Sequence, residues 1–303
     1  MPFSSQPVPR WLGVLLLLAV ATSFGANHVA ARVAFDHGAN VLAAVAFRSG
    51  GTAVAVAALM LVQGVSMRAG RGTWARAGIV GVIVATQSVC LYSAVARIPV
   101  ALALLVFNTF PLLLSLISWL SGGERPSRRM LLAMPVALAG LTLALDAGGW
   151  STGTGGVAGR WAEIGAGVAF ALGAALSFAT ALFLTTRWLG GVDGRLRAFM
   201  TMGTVALLAL TASAAGSALV LPRDAVGWAG IVLLTLFYGV AFTSLFALLP
   251  RLGAVNNAAL MNFEPIAVLF MAWIVLGQTV TPLQLAGAAI VVGAIVAMAL
   301  AKA

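Results

Sequence analysis

The chain has 303 residues, of which 62% are hydrophobic and only 8% charged, with a formal net charge of +10. A soluble domain of this length needs far more charge to cover its surface, whereas lipid tails solvate the outer face of a polytopic membrane protein. The basic excess does not point to nucleic acid, because the arginines are scattered through short loops with no soluble domain to present them. The single cysteine excludes a disulfide framework and a cysteine-based metal site.

Apolar windows of about 20 residues, the length of helix that crosses a bilayer, recur along the chain. They predict ten membrane helices over residues 11–31, 40–62, 75–96, 99–120, 130–147, 162–186, 198–220, 226–249, 255–276 and 283–301. In the first, Ala19-Val20-Ala21 resembles a signal-peptide cleavage site. Residues 18–31 nevertheless match residues 172–185, so the segment reads as a member of the fold. The longest loop, 148–160, is rich in Gly, Ser and Thr and reads as a linker. It separates a first five-helix unit, residues 1–147, from a second, residues 161–303.

The two units are copies of each other. Adding 154 carries Ser23-Phe24 onto Ser177-Phe178, Trp74 onto Trp228, Leu91 onto Leu245 and Arg97 onto Arg251. Asn108, Pro111, Trp119 and Gly123 land in the same way on Asn262, Pro265, Trp273 and Gly277. Five helices is an odd number, so the second copy enters the membrane from the opposite side. The expected architecture is an all-α polytopic membrane protein: ten transmembrane helices as two inverted five-helix repeats around a central cavity. Repeats of opposite orientation build alternating-access transporters, with the substrate site between the halves.

Charge sets the expected orientation. Of the 17 lysines and arginines, Arg32, Arg97, Arg160 and Arg223 fall on one side and Arg48 lies within the second apolar window; the rest fall on the opposite side. Basic residues collect on the cytoplasmic side, so both termini are expected there. Charge follows the side of the membrane and not the ancestry of the loop: Arg125, Arg128 and Arg129 have no basic counterpart in the copy, Gly277 to Leu283. Trp11, Trp74, Trp161 and Trp228 begin helices, and Trp119, Trp188 and Trp273 lie near helix ends. Those are interfacial anchor positions, not an aromatic binding box.

Polar groups within membrane helices are costly and face the protein interior or a watery cavity. Glu264 is the outstanding one. It lies about 13 Å into the helix expected from residue 255, at 1.5 Å per residue, near the midplane. A carboxyl there is expected to be paired or protonated. It is a proton-coupling site, a ligand for a substrate amine, or a neutral acid bonding two helices. Pro265 follows it and removes a backbone donor. Asn108 and Asn262 each stand three residues before a proline, Pro111 and Pro265. Their amides either satisfy backbone groups freed by a helix kink or line the cavity. Asn257 is a cap or a contact at the start of the ninth window.

His28 lies late in the first helix and reads as a packed, hydrogen-bonded residue or a ligand. Arg48, about 12 Å deep by the same rise, is expected to snorkel outward, to pair with a carboxylate, or to meet an anionic substrate group. Gln87, Tyr92 and Tyr238 complete the candidate substrate-binding set. No Walker-type phosphate loop, no His-Glu-x-x-His zinc pair and no Gly-x-Ser-x-Gly elbow occurs. The expectation is a protein that is not an enzyme, with no catalytic residues, no metal and no cofactor.

The stretch Asn257 to Ile266, with Glu264-Pro265, continues to Trp273-Ile274-Val275-Leu276-Gly277-Gln278 and Thr281-Pro282-Leu283-Gln284-Leu285-Ala286-Gly287. Together with the duplicated five-helix units it resembles the EamA family of the drug/metabolite transporter superfamily. Members carry a Glu-Pro in this helix and a Gly-Glu at its end; this chain has Gln278 after Gly277, while the first copy keeps Gly123-Glu124. Within the family the chain looks most like bacterial exporters of aromatic and other neutral amino acids (the YddG type). The resemblance implies a basket of helices whose central cavity opens alternately to each side. Glu264 would meet an amino group, and Arg48 or His28 a carboxylate.

The expected function is secondary export of neutral or aromatic amino acids across the bacterial inner membrane. The expected partners are a small-molecule substrate and the lipid bilayer, and the expected working unit is a monomer. The alternatives are export of drugs or other metabolites, and a non-transporting membrane partner or sensor.

Overall fold

The computed structural model describes residues 10–123, 132, 135–136, 139–140, 142–144, 156–215, 219–252, 263–279 and 281–300. All regular structure among them is helical: α1 (Arg10–Asp36), α2 (Val41–Val62), α3 (Arg71–Arg97), α4 (Val100–Phe107), α5 (Phe110–Leu120), α6 (Gly156–Leu189), α7 (Gly194–Ala214), α8 (Ala225–Leu252), α9 (Glu264–Leu276) and α10 (Pro282–Leu300). Among the described residues, seven spans are long and apolar enough to cross a membrane, with α4 and α5 together forming one; α9 and α10 contribute shorter apolar helices. The window expected at 130–147 lies largely outside the described residues.

Several helix ends differ from expectation, each for a local reason. The first helix continues past residue 31 to Asp36, where Arg32 donates from Nε to Asp36 Oδ1 at 2.9 Å across one turn. Gly38, at φ 96°, then reverses the chain. Asn40 caps α2 by accepting from the Ala43 amide at 2.9 Å. Helix α6 begins at Gly156, inside the stretch expected as linker. Helix α7 stops at Ala214, short of the expected 220, and Val220 instead accepts from the Asn40 amide at 3.0 Å.

The largest difference lies at the two prolines. The window at 99–120 is two helices, α4 and α5, separated by a turn at Asn108-Thr109. Pro111 has no N–H to give the Phe107 carbonyl, so the ladder breaks there. The Asn108 amide side chain donates to the Leu104 carbonyl at 2.7 Å, and the Thr109 hydroxyl to the Val106 carbonyl at 2.8 Å. In the second copy α9 starts at Glu264, after a turn at Phe263 and with Pro265 in its first turn. Phe263 is the copy of Thr109, and Glu264 the copy of Phe110, so a helix begins at the same place in both copies.

The halves pack on each other reciprocally. First-copy α1 lies against second-copy α8 and α9; second-copy α6 lies against first-copy α3, α4 and α5; and α2 lies against its own counterpart, α7. Small residues let the backbones approach, as interhelical packing in lipid requires. A Cβ on Gly230 of α8 would stand 2.9 Å from the Ala30 carbonyl oxygen of α1. One apolar cluster joins α3, α4, α6 and α9 through Leu91, Leu104, Val168 and Val268. A second joins α1, α2, α7 and α8 through Ala34, Val45, Val205 and Leu234. Trp74, Trp161, Trp228 and Trp273 are all exposed near helix ends.

Candidate functional site

Five helices bring polar side chains to one buried place. Helix α1 supplies Asn27 and His28, α2 supplies Arg48, Ser49 and Thr52, α3 supplies Gln87, Ser88 and Tyr92, α8 supplies Tyr238 and α9 supplies Glu264. Gly25 makes the α1–α9 contact possible: a Cβ there would lie 2.7 Å from Val268 Cγ2 and 3.4 Å from the Glu264 carbonyl. His28, nearly one turn further on the same face, then reaches α9 with Nε2 3.6 Å from Glu264 Oε1.

Arg48 corrects two expectations. It neither snorkels, being 2% exposed, nor pairs with a carboxylate among the described residues. Its guanidinium lies between two tyrosines, with Cζ 4.2 Å from the Tyr238 ring centroid and 4.9 Å from that of Tyr92. One terminal nitrogen donates to Ser88 Oγ at 2.6 Å, and Ser88 donates to Gln87 Oε1 at 3.3 Å. The Tyr92 hydroxyl donates to Asn27 Oδ1 at 2.6 Å, and its ring meets the His28 ring edge-on at 5.9 Å. A continuous path therefore runs Arg48, Tyr92, His28, Glu264.

The path leaves hydrogen-bonding capacity unused. Arg48 Nε, His28 Nδ1 and Ser49 Oγ are buried with no protein hydrogen-bond partner among the described residues. Burying an ion costs several kcal/mol, while a desolvated cation–π contact returns about 2 kcal/mol. Two rings and one serine therefore carry the guanidinium, with Nε left over. Glu264 corrects a third expectation. It does not lie within a helix running from 255: it opens α9, where the positive end of the helix dipole favours a carboxylate. Its side chain is 20% exposed, so exposure along the path is greater at the acid than at Arg48, which is 2% exposed.

Most of the expected residues meet here: His28, Arg48, Tyr92, Tyr238 and Glu264 directly, and Gln87 through Ser88. Asn108 spends its amide on its own helix, as the kink-satisfying reading has it. Asn257 and Asn262 lie outside the described residues. Ser49 and Ser88 were not among the expected set. The available signal was spacing: Ser88 precedes Tyr92 by four residues, hence one face of α3, and Ser49 adjoins Arg48. An open apolar hollow of about 720 Å³ lies elsewhere, lined by Ile266, Phe270, Trp273, Leu285 and Val292 of α9 and α10. It holds none of the polar cluster, and its exposed apolar rim suits lipid contact.

The family model for EamA-like transporters matches residues 11–145 and again residues 165–300. The chain belongs to the EamA-like transporter family. It carries two copies of that family's domain, and is therefore a multi-pass membrane transporter of small substrates, not an enzyme. No curated protein gives a match. Fifteen chains of solved structures resemble it. One of them, a crystal structure of a protein, superposes with a TM-score of 0.65 at 23% sequence identity, covering 97% of this chain and 99% of that one. At that identity the likeness speaks for the fold alone.

Proposed function

We propose that this EamA-family protein is a secondary exporter of neutral and aromatic amino acids in the bacterial inner membrane. It works by alternating access between two inverted five-helix repeats, as a monomer with both termini in the cytoplasm. The observation that carries the reading is Arg48, a buried guanidinium with a free Nε and no carboxylate partner among the described residues, joined through Tyr92 and His28 to Glu264. A zwitterion has matching chemistry: its carboxylate suits the buried guanidinium end, and its ammonium suits the more exposed acid end. The reciprocal packing of α1 on α8 and α9, and of α6 on α3, α4 and α5, supports a pseudo-two-fold relation between the halves, as alternating access requires. Glu264 is the proton-coupling group of this reading, since a substrate ammonium and a proton compete for the same carboxylate.

The experiment is uptake of labelled phenylalanine, tryptophan and methionine into proteoliposomes, with and without an imposed pH gradient. Saturable movement that unlabelled competitor stops supports amino-acid transport. Dependence on the gradient supports proton coupling at Glu264, and independence makes the protein a passive facilitator. No movement of any amino acid sinks the reading and turns attention to drugs and other metabolites.

A further inference from the structure

Helices α9 and α10 follow one another in the chain, and Gly277, at φ 62°, reverses it between them. Antiparallel neighbours joined by so short a turn ordinarily pack along their length. Here α9 packs on α1 and α4, and no comparable packing joins it to α10 among the described residues. The open hollow of about 720 Å³ lies between them. Its walls are one stripe of each helix: Ile266, Phe270 and Trp273 of α9, and Leu285, Ala289 and Val292 of α10. Both sets have the spacing i, i+4, i+7, which marks a single helix face. A smaller hollow continues toward Leu102 and Leu105 of α4, and the two share Leu269, Gln278, Thr279 and Ala288.

The hollow has a surface end and a deep end. The turn between α9 and α10 belongs at the membrane surface, because irregular backbone exposed to hydrocarbon goes unsatisfied. Trp273, 56% exposed, stands about one turn before the end of α9, as an interfacial ring does. From Trp273 to Ile266 the wall runs about 10 Å at 1.5 Å per residue. That length fits within one leaflet, half of a hydrocarbon core roughly 30 Å thick. Among the described lining residues the polar ones are Gln278 and Thr279, both at the surface end. The Gln278 side-chain oxygen accepts from the Val100 amide at 3.2 Å, which leaves its NH2 group as a donor. Thr279 adds an exposed residue with a hydroxyl.

An apolar slot left empty forfeits the dispersion contacts of its lining, and water finds no partners along such walls. The slot is continuous with exposed Ile274, Val275 and Ile290, part of the apolar surface that the bilayer covers. We propose that the space between α9 and α10 binds one phospholipid, its acyl chain lying between the two helix faces and its ester and phosphate oxygens at Gln278 and Thr279. Those oxygens only accept, and the two side chains supply donors. The acyl chain takes the place of the helix–helix packing that α9 and α10 do not make. Helix α9 carries Glu264 at its other end, so the bound lipid also steadies the helix that presents the acid.

The test is native mass spectrometry of the delipidated full-length protein in detergent, titrated with dioleoyl phosphatidylethanolamine. Wild type should bind one lipid more tightly than any that follow. Gly293 lines the hollow, and a Cβ there meets nothing within 4 Å, so Gly293→Leu fills the slot without pressing on the fold. Its affinity for the first lipid should fall about tenfold, the loss of about ten dispersion contacts. Thr279→Val should weaken that lipid about fivefold, the loss of one hydrogen bond; no change there overturns the polar end of the site. Val232→Trp adds bulk to an exposed apolar position of α8 outside the hollow and should bind as wild type does. A wild type with no preferred first lipid, a Gly293→Leu that binds as tightly as wild type, or an equal loss in Val232→Trp overturns the site. Dimers present in wild type and lost in Gly293→Leu overturn it in favour of a second copy of the chain. Should Gly293→Leu fail to fold, Ala289→Leu, at another exposed wall position, decides in its place.

Discussion

Glu264 occupies in the second half the place that Phe110 occupies in the first: each is the first residue of a helix, each follows a turn, and each precedes a proline. The same backbone device presents an acid on one side and an aromatic ring on the other.

In the proposed function, Arg48 anchors the solute's carboxylate. Replacing Arg48 by Gln should raise the half-saturation for an amino acid by at least about 30-fold, the equivalent of losing a buried charge-assisted pair. The corresponding amino-acid amide, which carries no carboxylate, should be weakened far less. Lysine should not rescue, because it lacks the planar fork that fits between two tyrosines while bonding Ser88. Equal losses for acid and amide would remove Arg48 from that role.

In the proposed function, proton and solute compete at Glu264. Glu264→Gln is expected to abolish accumulation driven by an imposed pH gradient while leaving exchange of labelled for unlabelled amino acid measurable. Gradient-driven uptake that survives in Glu264→Gln would move the coupling elsewhere.

At one end of the molecule, His37 at the end of α1 meets Asp224 just before α8, with Nδ1 2.7 Å from Oδ2, and Arg223 donates its amide to the His37 carbonyl at 3.0 Å. These contacts tie the two copies together. If α1 and α8 separate during the cycle, a disulfide between His37→Cys and Asp224→Cys, in a Cys90→Ala background, should stop transport, and reductant should restore it. Full activity in the cross-linked protein would show that this end of the pair stays closed throughout.

Gly230 tests the close packing of the halves. A methyl there meets the Ala30 carbonyl and the Ala34 amide, both at 2.9 Å. Backbone cannot swing aside as a side chain does, so Gly230→Ala should cost about 1–3 kcal/mol, as overpacking typically does. Thermal unfolding in detergent would show this as a lowered midpoint; an unchanged midpoint would mean that α1 and α8 adjust freely.

Asp193 caps α7, accepting from the Arg195 amide at 2.9 Å and from the Arg195 guanidinium at 2.8 Å. Its carboxyl is pushed down to about 2, chiefly by the Arg195 side chain, and further by backbone amides. A carboxylate held below its unfolded value stabilises fully above that value and loses the contribution as pH falls through about 2. Asp193→Ala should therefore unfold more readily than wild type near neutral pH, by about 1 kcal/mol or less for so exposed a cap. The two should converge toward pH 2. Asp193→Asn, which keeps the capping oxygen, should fall between them at neutral pH.

The sequence by itself determined the apolar spans, the duplication at an offset of 154 and the two prolines, Pro111 and Pro265, at which a kink is expected. Each depends on local chemistry: runs long enough to leave water, and a proline that cannot donate to the turn before it. It also marked Glu264 and Arg48, because charge within an apolar run is costly wherever the run packs. It did not reveal that Glu264 begins a helix, since a proline in an apolar window kinks a helix or ends it, and only neighbouring helices decide which. Tertiary structure alone decided the partners. Ser88 meets Arg48, Tyr92 meets Asn27 and His28 meets Glu264 because of how five helices are rotated about their own axes. That rotation is set by glycines such as Gly25 fitting against a facing helix, and no periodicity within one nearly uniform apolar helix records it.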